Sequence, residues 1–249
     1  MATKTASGNE HETRDSILDG SITLIQPRHG YRFSLEAILL GRFARATTRD
    51  RVLELGAGCG VVSIMMASLY KPREVVALEI QPMLAEMIAR NATFNGFDSV
   101  HAVCADLRQK KIAGLKPASF DLIIANPPYR ATAAGRENPD HGRRLARGES
   151  AAALHDFVAA ARRYARTGAR IAFVFTARRS AELISTMRSC RLEPKRIRFV
   201  HPRIASPATV ILLEARAAGG IEVAIEPPLI LYDRPGIYTS EARALLSSS

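Results

Sequence analysis

The order of predicted strands and helices after Arg51 constrains the fold of this chain more than any other feature. Short apolar segments alternate there with longer segments whose apolar residues recur at helical spacing. The predicted strands are Val52–Leu55, Glu74–Leu78, Val100–Cys104, Phe120–Ala125 and Ile171–Phe175, and the predicted helices are Val61–Leu69, Pro82–Asn95 and Leu154–Tyr164. This alternation predicts an α/β fold in which a mostly parallel sheet carries helices on both faces.

The segment before this core, residues 15–50, is predicted to add a hairpin and a helix. An alternating stretch over Ser21–Ile25 precedes Pro27–Gly30, whose Pro and Gly predict the hairpin turn. Ser34 is a suitable N-cap for the helix that follows. Residues 1–14 are polar, and we expect them to form a disordered tail.

The end of the chain changes character. Around Ile197 and Phe199 apolar and basic residues alternate, and Ala208–Leu213 is a continuous apolar run. Two such strands joined by a short connection predict an antiparallel edge pair. Because no linker is long enough to separate a second domain, we assign residues 15–249 to one domain, whose core spans residues 51–249.

The charge balance and the cysteines limit the partners of this chain. Its 249 residues carry a formal charge of +11, which favours a polyanionic partner such as a nucleic acid. The three cysteines are far apart, so neither a disulfide framework nor a metal cluster is indicated. Residues 1–14 lack the apolar core of a secretion signal, and no apolar run is long enough to span a membrane. We therefore expect a cytoplasmic protein without a metal or a membrane partner, and the oligomeric state stays open.

A glycine-rich segment, Glu54–Gly60, follows the first strand of the predicted core and opens a helix. Glycines at such a position let the backbone approach a ligand closely. A dinucleotide-binding fingerprint would place its third glycine at Val61, whereas this chain places it at Gly60. The segment therefore indicates a ligand of another kind, and a purely structural tight turn is the alternative.

Acidic residues follow the next two predicted strands, Glu79 after the second and Asp106 after the third. Ligands of open α/β sheets bind at the carboxyl ends of the strands. Glu79 is therefore placed to accept hydrogen bonds from both hydroxyls of a ribose, and Asp106 from an adenine amino group. Taken alone, each acid could instead cap a helix or lie solvated in a loop. The glycine-rich segment beside them favours one shared ligand.

The fourth predicted strand ends in Asn126-Pro127-Pro128-Tyr129, the most specific motif of the chain. The two prolines remove two backbone donors and stiffen the turn. The side-chain carbonyl of Asn126 and the backbone carbonyl of Pro127 can then accept from a planar NH₂ group. Two such bonds pull the nitrogen toward tetrahedral geometry and free its lone pair, while Tyr129 offers a flat surface to a base that has flipped out. A Pro-Pro turn capped by Asn is the structural alternative.

Residues 15–246 resemble the bacterial tRNA1(Val) (adenine-N6)-methyltransferases, enzymes of the class I S-adenosylmethionine (SAM)-dependent type. The matching segments are Phe33–Gly41, Asn126–Tyr129, Ala146–Glu149, His201–Arg203, Pro207–Glu214, Pro228–Tyr232 and Tyr238–Thr239. The resemblance implies a single domain with a seven-stranded sheet. It also implies that the methyl group of SAM is transferred directly to N6 of an adenine in RNA, with tRNA as the favoured substrate. The chain departs from the family in Glu36, where members usually carry Asp, and in the arginine-rich loop 130–147.

The motifs, the resemblance and the basic clusters together assign three groups of residues. The expected acceptor site is Asn126, Pro127, Pro128 and Tyr129. The residues expected to bind SAM are Glu36, Glu54, Gly56, Ala57, Gly58, Gly60, Glu79, Ile80, Asp106, Leu107 and Asn126. The residues expected to contact RNA phosphates are Arg130, Arg143, Arg144, Arg147, Arg178, Arg179, Arg196, Arg198 and Arg203.

Two other functions stay open at this stage. A protein-glutamine N5-methyltransferase of the release-factor type would share the glycine-rich segment and the Asn-Pro-Pro-Tyr motif. The basic charge balance argues against it, as do the matches before Arg51 and after Val200. The other is a SAM- and RNA-binding protein without catalysis, and the intact set of Glu79, Asp106 and Asn126 speaks against that.

Overall fold

A computed structural model describes residues 4–5, 11–29, 32–128 and 153–247. The strands are β1 (Lys4–Thr5), β2 (Glu12–Ile17), β3 (Ile22–Pro27), β4 (Arg51–Leu55), β5 (Glu74–Glu79), β6 (Val100–Cys104), β7 (Phe120–Ala125), β8 (Ala165–Thr176), β9 (Leu192–His201), β10 (Val210–Ala217), β11 (Ala224–Ile225), β12 (Leu229–Ile230), β13 (Tyr232–Arg234) and β14 (Ile237–Tyr238). The helices are α1 (Leu35–Ala44), α2 (Val61–Tyr70), α3 (Pro82–Phe94), α4 (153–164), α5 (Ser180–Ser189) and α6 (Ser240–Leu246), with a 3-10 helix over Ala177–Arg179. None of these helices is long and apolar enough to cross a membrane.

The central sheet has the strand order β11-β9-β10-β8-β7-β4-β5-β6, and β12 also pairs with β9. Strands β4 to β8 pair in parallel, whereas β10 is antiparallel to both β8 and β9. The mostly parallel sheet and its antiparallel edge pair are therefore confirmed. In the described residues two very short strands, β11 and β12, extend the seven longer ones. Strands β4 to β9 all end at the same side of the sheet, which we call the carboxyl edge.

Successive residues of the parallel strands pack against helices on opposite faces of the sheet. Val52 of β4 lies in the apolar cluster that α1, α2 and α3 cover, whereas Leu53 lies in the cluster that α4 and α5 cover. Both side chains are fully buried. Burial on both faces explains why these strands are continuous apolar runs in the sequence.

The N-terminal hairpin differs from the expectation. β2 begins at Glu12, inside the segment expected to be a disordered tail, and the turn lies at Leu18–Ser21 rather than at Pro27–Gly30. Residues 18, 19 and 20 have positive φ angles of 51°, 52° and 87°. Both predictions are wrong because Asp19-Gly20 is itself a strong hairpin signal, and because β2 buries the polar side chain of Asp15 where an apolar one would be easier to recognise.

Buried hydrogen bonds attach this hairpin to the segment that leads into α1. Asp15 Oδ2 accepts from Gln26 Nε2, Thr13 Oγ1 and an Arg32 guanidinium nitrogen over 2.6, 2.9 and 3.0 Å. Burial alone would raise the pKa of Asp15, but these donors together lower it below its ordinary value. The charged network therefore fixes the hairpin where the chain enters α1.

β8 begins earlier than the sequence predicts, at Ala165 instead of Ile171. Ala165 pairs with Phe120, and Arg170 pairs with Leu122, so the residues between them form a bulge. Gly168, which the sequence places after the end of a helix, lies in this bulge with a φ of 77°.

Candidate cofactor and acceptor site

The glycine-rich segment between β4 and α2 turns tightly at the carboxyl edge. Gly56, Gly58 and Gly60 have positive φ angles of 67°, 57° and 84°, which disfavour residues with a side chain. A Cβ atom on Gly56 would lie 2.9 Å from the ring of Phe157, so a side chain there would force that ring to shift. The N–H of Gly56 donates to the carbonyl of Leu78 over 2.8 Å, which fixes the segment against the end of β5.

Glu79, the last residue of β5, presents its carboxylate beside this segment. The residue is only 5% exposed. Its Oε2 accepts from the N–H of Gly58 over 2.8 Å, and its Oε1 accepts from the N–H of Gln81 over 2.9 Å. Each carboxylate oxygen keeps a further lone pair, so the fixed carboxylate can accept from two adjacent hydroxyl groups.

Glu54, the first residue of the glycine-rich segment, lies in β4 and holds the first turn of α2. Its Oε2 accepts from the N–H of Ser63 over 2.8 Å and also from the Ser63 hydroxyl. Burial raises the pKa of Glu54 to about 8, and the nearby charge of Glu79 adds to this, while the bonds from Ser63 oppose it. These contacts favour a supporting role for Glu54, and its expected contact with the cofactor stays a prediction.

Asp106, two residues after the end of β6, is held by Arg108. The Nε of Arg108 lies 3.0 and 2.9 Å from the two carboxylate oxygens of Asp106, and the N–H of Arg108 donates to Oδ1 over 2.9 Å. These side-chain and backbone bonds lower the pKa of Asp106 below its ordinary value. The side chain of Arg108 is 65% exposed, so it has room to move when another donor approaches the carboxylate.

A cavity of about 370 Å³ joins these strand ends, and its size is that of a small-molecule site. The expected site residues that line it are Gly56, Gly58, Glu79, Ile80, Asp106, Leu107, Asn126 and Pro128. The residues that the sequence did not reveal are Leu78, Gln81, Leu84, Ala105, Arg108, Ala153, Asp156 and Phe157. Arg108 lies only two residues after Asp106, so the sequence could have indicated that it belongs to the site. Nothing in the sequence shows that α4, which carries Asp156 and Phe157, faces the cavity.

Several expected residues do not belong to this lining within the described part of the chain: Glu36, Glu54, Ala57, Gly60 and Pro127. A Cβ atom on Gly60 would lie 3.1 Å from the side chain of Ile88, so this glycine permits close packing of α3. Glu36 is half-buried in the first turn of α1. The cofactor contacts assigned to these residues stay predictions.

The acceptor motif reaches the same cavity. Asn126 follows β7 directly, is half-buried, and lines the cavity together with Pro128. Ala125 pairs with Leu55, so Asn126 and Gly56 each follow the end of one of two neighbouring strands, and both line the cavity. Tyr129 lies outside the described residues, and its stacking role stays a prediction.

Three of the arginines expected to contact RNA are engaged within the fold. Arg196 pairs with Glu214 and Glu226, each over 3.2 Å, and Arg198 pairs with Glu241. Arg179 pairs in the same way with Glu182 over 2.5 Å, and its guanidinium lies over the ring of Phe175. These contacts favour a structural role for all three side chains.

Two other expected arginines are exposed at the carboxyl edge. Arg178 follows β8, and Arg203 follows β9. Within the described residues neither takes part in an ion pair. Four further arginines of the predicted set lie outside those residues: Arg130, Arg143, Arg144 and Arg147.

The cavity fits a nucleoside that carries a charged methyl donor. Glu79 can bind two ribose hydroxyls, Asp106 can accept from an adenine amino group, and the apolar side chains of Ile80 and Leu84 can contact the ring. Gly56 and Gly58 present no side chain to the cavity that Glu79 and Asn126 also line. The strand order and this site define a class I methyltransferase that uses SAM.

Comparison with known proteins identifies the family. Residues 36–194 match the model of the methyltransferase small domain, and the chain belongs to that family. The chain is 26% identical to a tRNA1(Val) (adenine(37)-N6)-methyltransferase of Porphyromonas gingivalis over 221 residues, which is 84% of this chain and 85% of the relative.

Two further comparisons agree with this result. A protein of the same name from a Flavobacteriaceae bacterium is 33% identical over 110 residues, which is 44% of this chain and only 46% of the relative. Among solved structures, a predicted O-methyltransferase from Agrobacterium tumefaciens superposes with a TM-score of 0.67 at 23% identity, over 84% of this chain and 94% of that one. The structural likeness shows the shared fold.

Proposed function

We propose that this chain methylates the N6 amino group of an adenine in RNA, with tRNA as the substrate. One observation carries the proposal: Asn126 lines the same cavity as Glu79 and Asp106, so an amino acceptor and a nucleoside cofactor can meet there. The name of the Porphyromonas gingivalis relative, which aligns over most of both chains, supports adenine N6 as the acceptor.

The proposed mechanism is positioning followed by direct transfer. When bound, SAM supplies an electrophilic methyl group on its sulfonium. Glu79 and Asp106 hold the nucleoside part, which fixes the direction of the methyl group. The carbonyls of Asn126 and Pro127 accept hydrogen bonds from the two protons of the adenine NH₂. They would hold its nitrogen roughly 3–3.5 Å from the carbon of the methyl group to be transferred, which is a near-attack distance. As the new N–C bond forms, the bond from the methyl carbon to sulfur breaks and a neutral thioether leaves, and the methylated nitrogen then releases a proton to water.

The charge of the chain supports a nucleic acid partner. The net charge is +11, and Arg178 and Arg203 lie exposed at the edge that carries the acceptor motif. Phosphate contacts position a substrate without reading its sequence. A tRNA substrate would be met in the cytoplasm, where the three free cysteines would stay reduced.

The test offers the purified full chain two substrates with SAM: unmodified tRNA and a release factor. Mass spectrometry of the nucleosides should show N6-methyladenosine in the tRNA, and peptide mass spectrometry should show no methylglutamine. Methylated glutamine without N6-methyladenosine would favour the release-factor type. Transfer to neither substrate, with SAM bound, would favour a binding protein without catalysis.

A further inference from the structure

The loop between β9 and β10 and the hairpin of β13 and β14 form a second surface at the carboxyl edge. β12 pairs with the end of β9 at Val200 and His201, which brings the hairpin to this edge. The N–H of Tyr232 donates to the carbonyl of Pro202 over 2.9 Å and joins the hairpin to the loop. The same edge carries Asn126 at the end of β7, and the end of β9, where the loop begins, lies three strand spacings from β7, or about 14 Å.

Two stacked tyrosines give the hairpin a fixed shape. The rings of Tyr232 and Tyr238 lie 4.8 Å apart at an angle of 21°, and both residues are half-buried. The hydroxyl of Thr239 donates to the carbonyl of Ile230 over 2.7 Å and closes the base of the hairpin. A partner that binds here therefore meets a preformed surface, which reduces the entropy lost on binding.

Both parts of this surface carry an exposed apolar side chain and an exposed cationic one. Ile204 is 81% exposed and Ile237 is 50% exposed. Arg203 and Arg234 are exposed beside them, and within the described residues neither forms an ion pair; Asp233 is the exposed acid among them. Exposed cations can contact the phosphates of an RNA strand, which supply much of the affinity for RNA, and the isoleucines beside them can pack against its sugars.

We propose that Arg203, Ile204, Arg234 and Ile237 bind the RNA nucleotides next to the target base. The proposal rests on the proposed function and deepens it, because it assigns substrate contacts that the acceptor motif does not provide. A separation of about 14 Å corresponds to roughly four stacked nucleotides at about 3.4 Å each. The same RNA loop can then reach Asn126 with its flipped base and this surface with its neighbours.

The test compares two double variants of matched composition. Arg203→Ala/Ile204→Ala changes the proposed surface. Arg216→Ala/Ile221→Ala removes the same two residue types near the end of β10, at the opposite edge, where Arg216 is exposed and Ile221 is 80% exposed. A third variant, Arg234→Ala/Ile237→Ala, probes the hairpin alone. Each is titrated with unmodified tRNA at several salt concentrations, and SAM affinity is measured by calorimetry.

We expect both surface variants to bind tRNA about tenfold more weakly. Their salt slope should be shallower by about 0.7 to 0.9 for each lost phosphate contact. The control variant should match the wild type, and SAM affinity should be unchanged throughout. Equal tRNA affinity in all variants, or an equal loss in the control, would overturn the proposal. If the wild type methylates tRNA but the surface variants bind it as well as the wild type does, only the surface proposal fails. If the wild type neither binds nor methylates tRNA, the proposed function fails too.

Discussion

The side-chain amide of Asn91 donates a hydrogen bond to the backbone carbonyl of Cys59 over 2.9 Å, which joins α3 to the glycine-rich segment. The same nitrogen donates to the carbonyl of Ile25 over 2.9 Å, and the amide oxygen accepts from the N–H of Ile25 over 2.7 Å. Asn91 is fully buried. One side chain therefore connects the N-terminal hairpin, α3 and the cofactor side of the cavity.

Replacement of Asn91 should weaken both the fold and cofactor binding. Asn91→Ala leaves backbone groups of Ile25 and Cys59 without partners, so we expect the free energy of unfolding to fall by about 2–4 kcal/mol. SAM affinity should fall as well, because Cys59 belongs to the glycine-rich segment. Urea unfolding and calorimetry measure the two effects.

Asn95 offers a matched control for this prediction. Its side chain makes the equivalent pair of bonds with Thr23, over 3.1 and 2.8 Å, and it makes no bond to the glycine-rich segment. Asn95→Ala should therefore lower stability and leave SAM affinity unchanged. A SAM affinity of Asn91→Ala equal to that of the wild type would show that the link from α3 does not support the site.

Glu79→Gln should lower SAM affinity at least about tenfold, since a hydrogen bond to a charged group contributes about 1.5–3 kcal/mol. The substitution keeps the size of the side chain and removes its charge. Glu74→Gln is the control, because Glu74 lies at the opposite end of the same strand and pairs with Arg51 over 2.7 Å. Calorimetry should separate the two variants, and equal SAM affinities would exclude the assigned role of Glu79.

The acidic and amide residues that the sequence revealed lie at or just after the ends of strands. Glu79, Asp106 and Asn126 each follow an apolar run, and parallel strands bring such positions to one edge. Leu84 and Phe157 reach the cavity through the packing of α3 and α4. Helical spacing predicts which residues share an apolar face but not which part of the fold that face meets, so these contacts could not be predicted.

The positions of the basic residues in the sequence also did not predict which of their side chains are exposed in the fold. Arg196 and Arg203 look equivalent in a count of basic residues. In the fold, Glu214 of β10 and Glu226 beyond β11 pair with Arg196, whereas Arg203 points from a loop into solvent. Carboxylates from distant parts of the chain decide the difference, and only the three-dimensional structure brings them together.

The buried carboxyl of Glu54 should make stability depend on pH. Burial raises its pKa to about 8 in the folded chain, above the value of 4.5 expected when the chain is unfolded. Between these values the folded state holds a proton that the unfolded state has lost. Stability should therefore fall as pH rises from about 4.5 to about 8, with a slope of about 1.4 kcal/mol per pH unit from this group.

Glu54→Gln tests this dependence, because glutamine resembles the protonated acid and does not titrate. The free energy of unfolding, measured in urea at pH values from about 5 to about 8, should no longer fall with pH through this group in the variant. Glu74→Gln should keep it, since Glu74 pairs with Arg51 near solvent. An identical slope in wild type and Glu54→Gln would mean that Glu54 is ionised in the folded chain.

The last prediction separates chemistry from binding. Asn126→Ala removes one of the two carbonyls proposed to accept from the adenine NH₂. Asn126 is also expected to contact SAM, but we propose that its contact with the acceptor is the one that matters for the rate. We expect methyl transfer to tRNA to fall far more than tenfold while SAM affinity stays within about twofold of the wild type, because tenfold corresponds to only about 1.36 kcal/mol of transition-state stabilisation. Asn95→Ala is the control: it removes a side-chain amide that bonds to Thr23 of the N-terminal hairpin, so the rate of methyl transfer should stay at the wild-type value. Single-turnover assays and calorimetry on the same preparations provide the comparison. If Asn126→Ala keeps more than about a tenth of the wild-type rate, the lost stabilisation is smaller than that of one transition-state contact, and the polarising role of Asn126 must be abandoned.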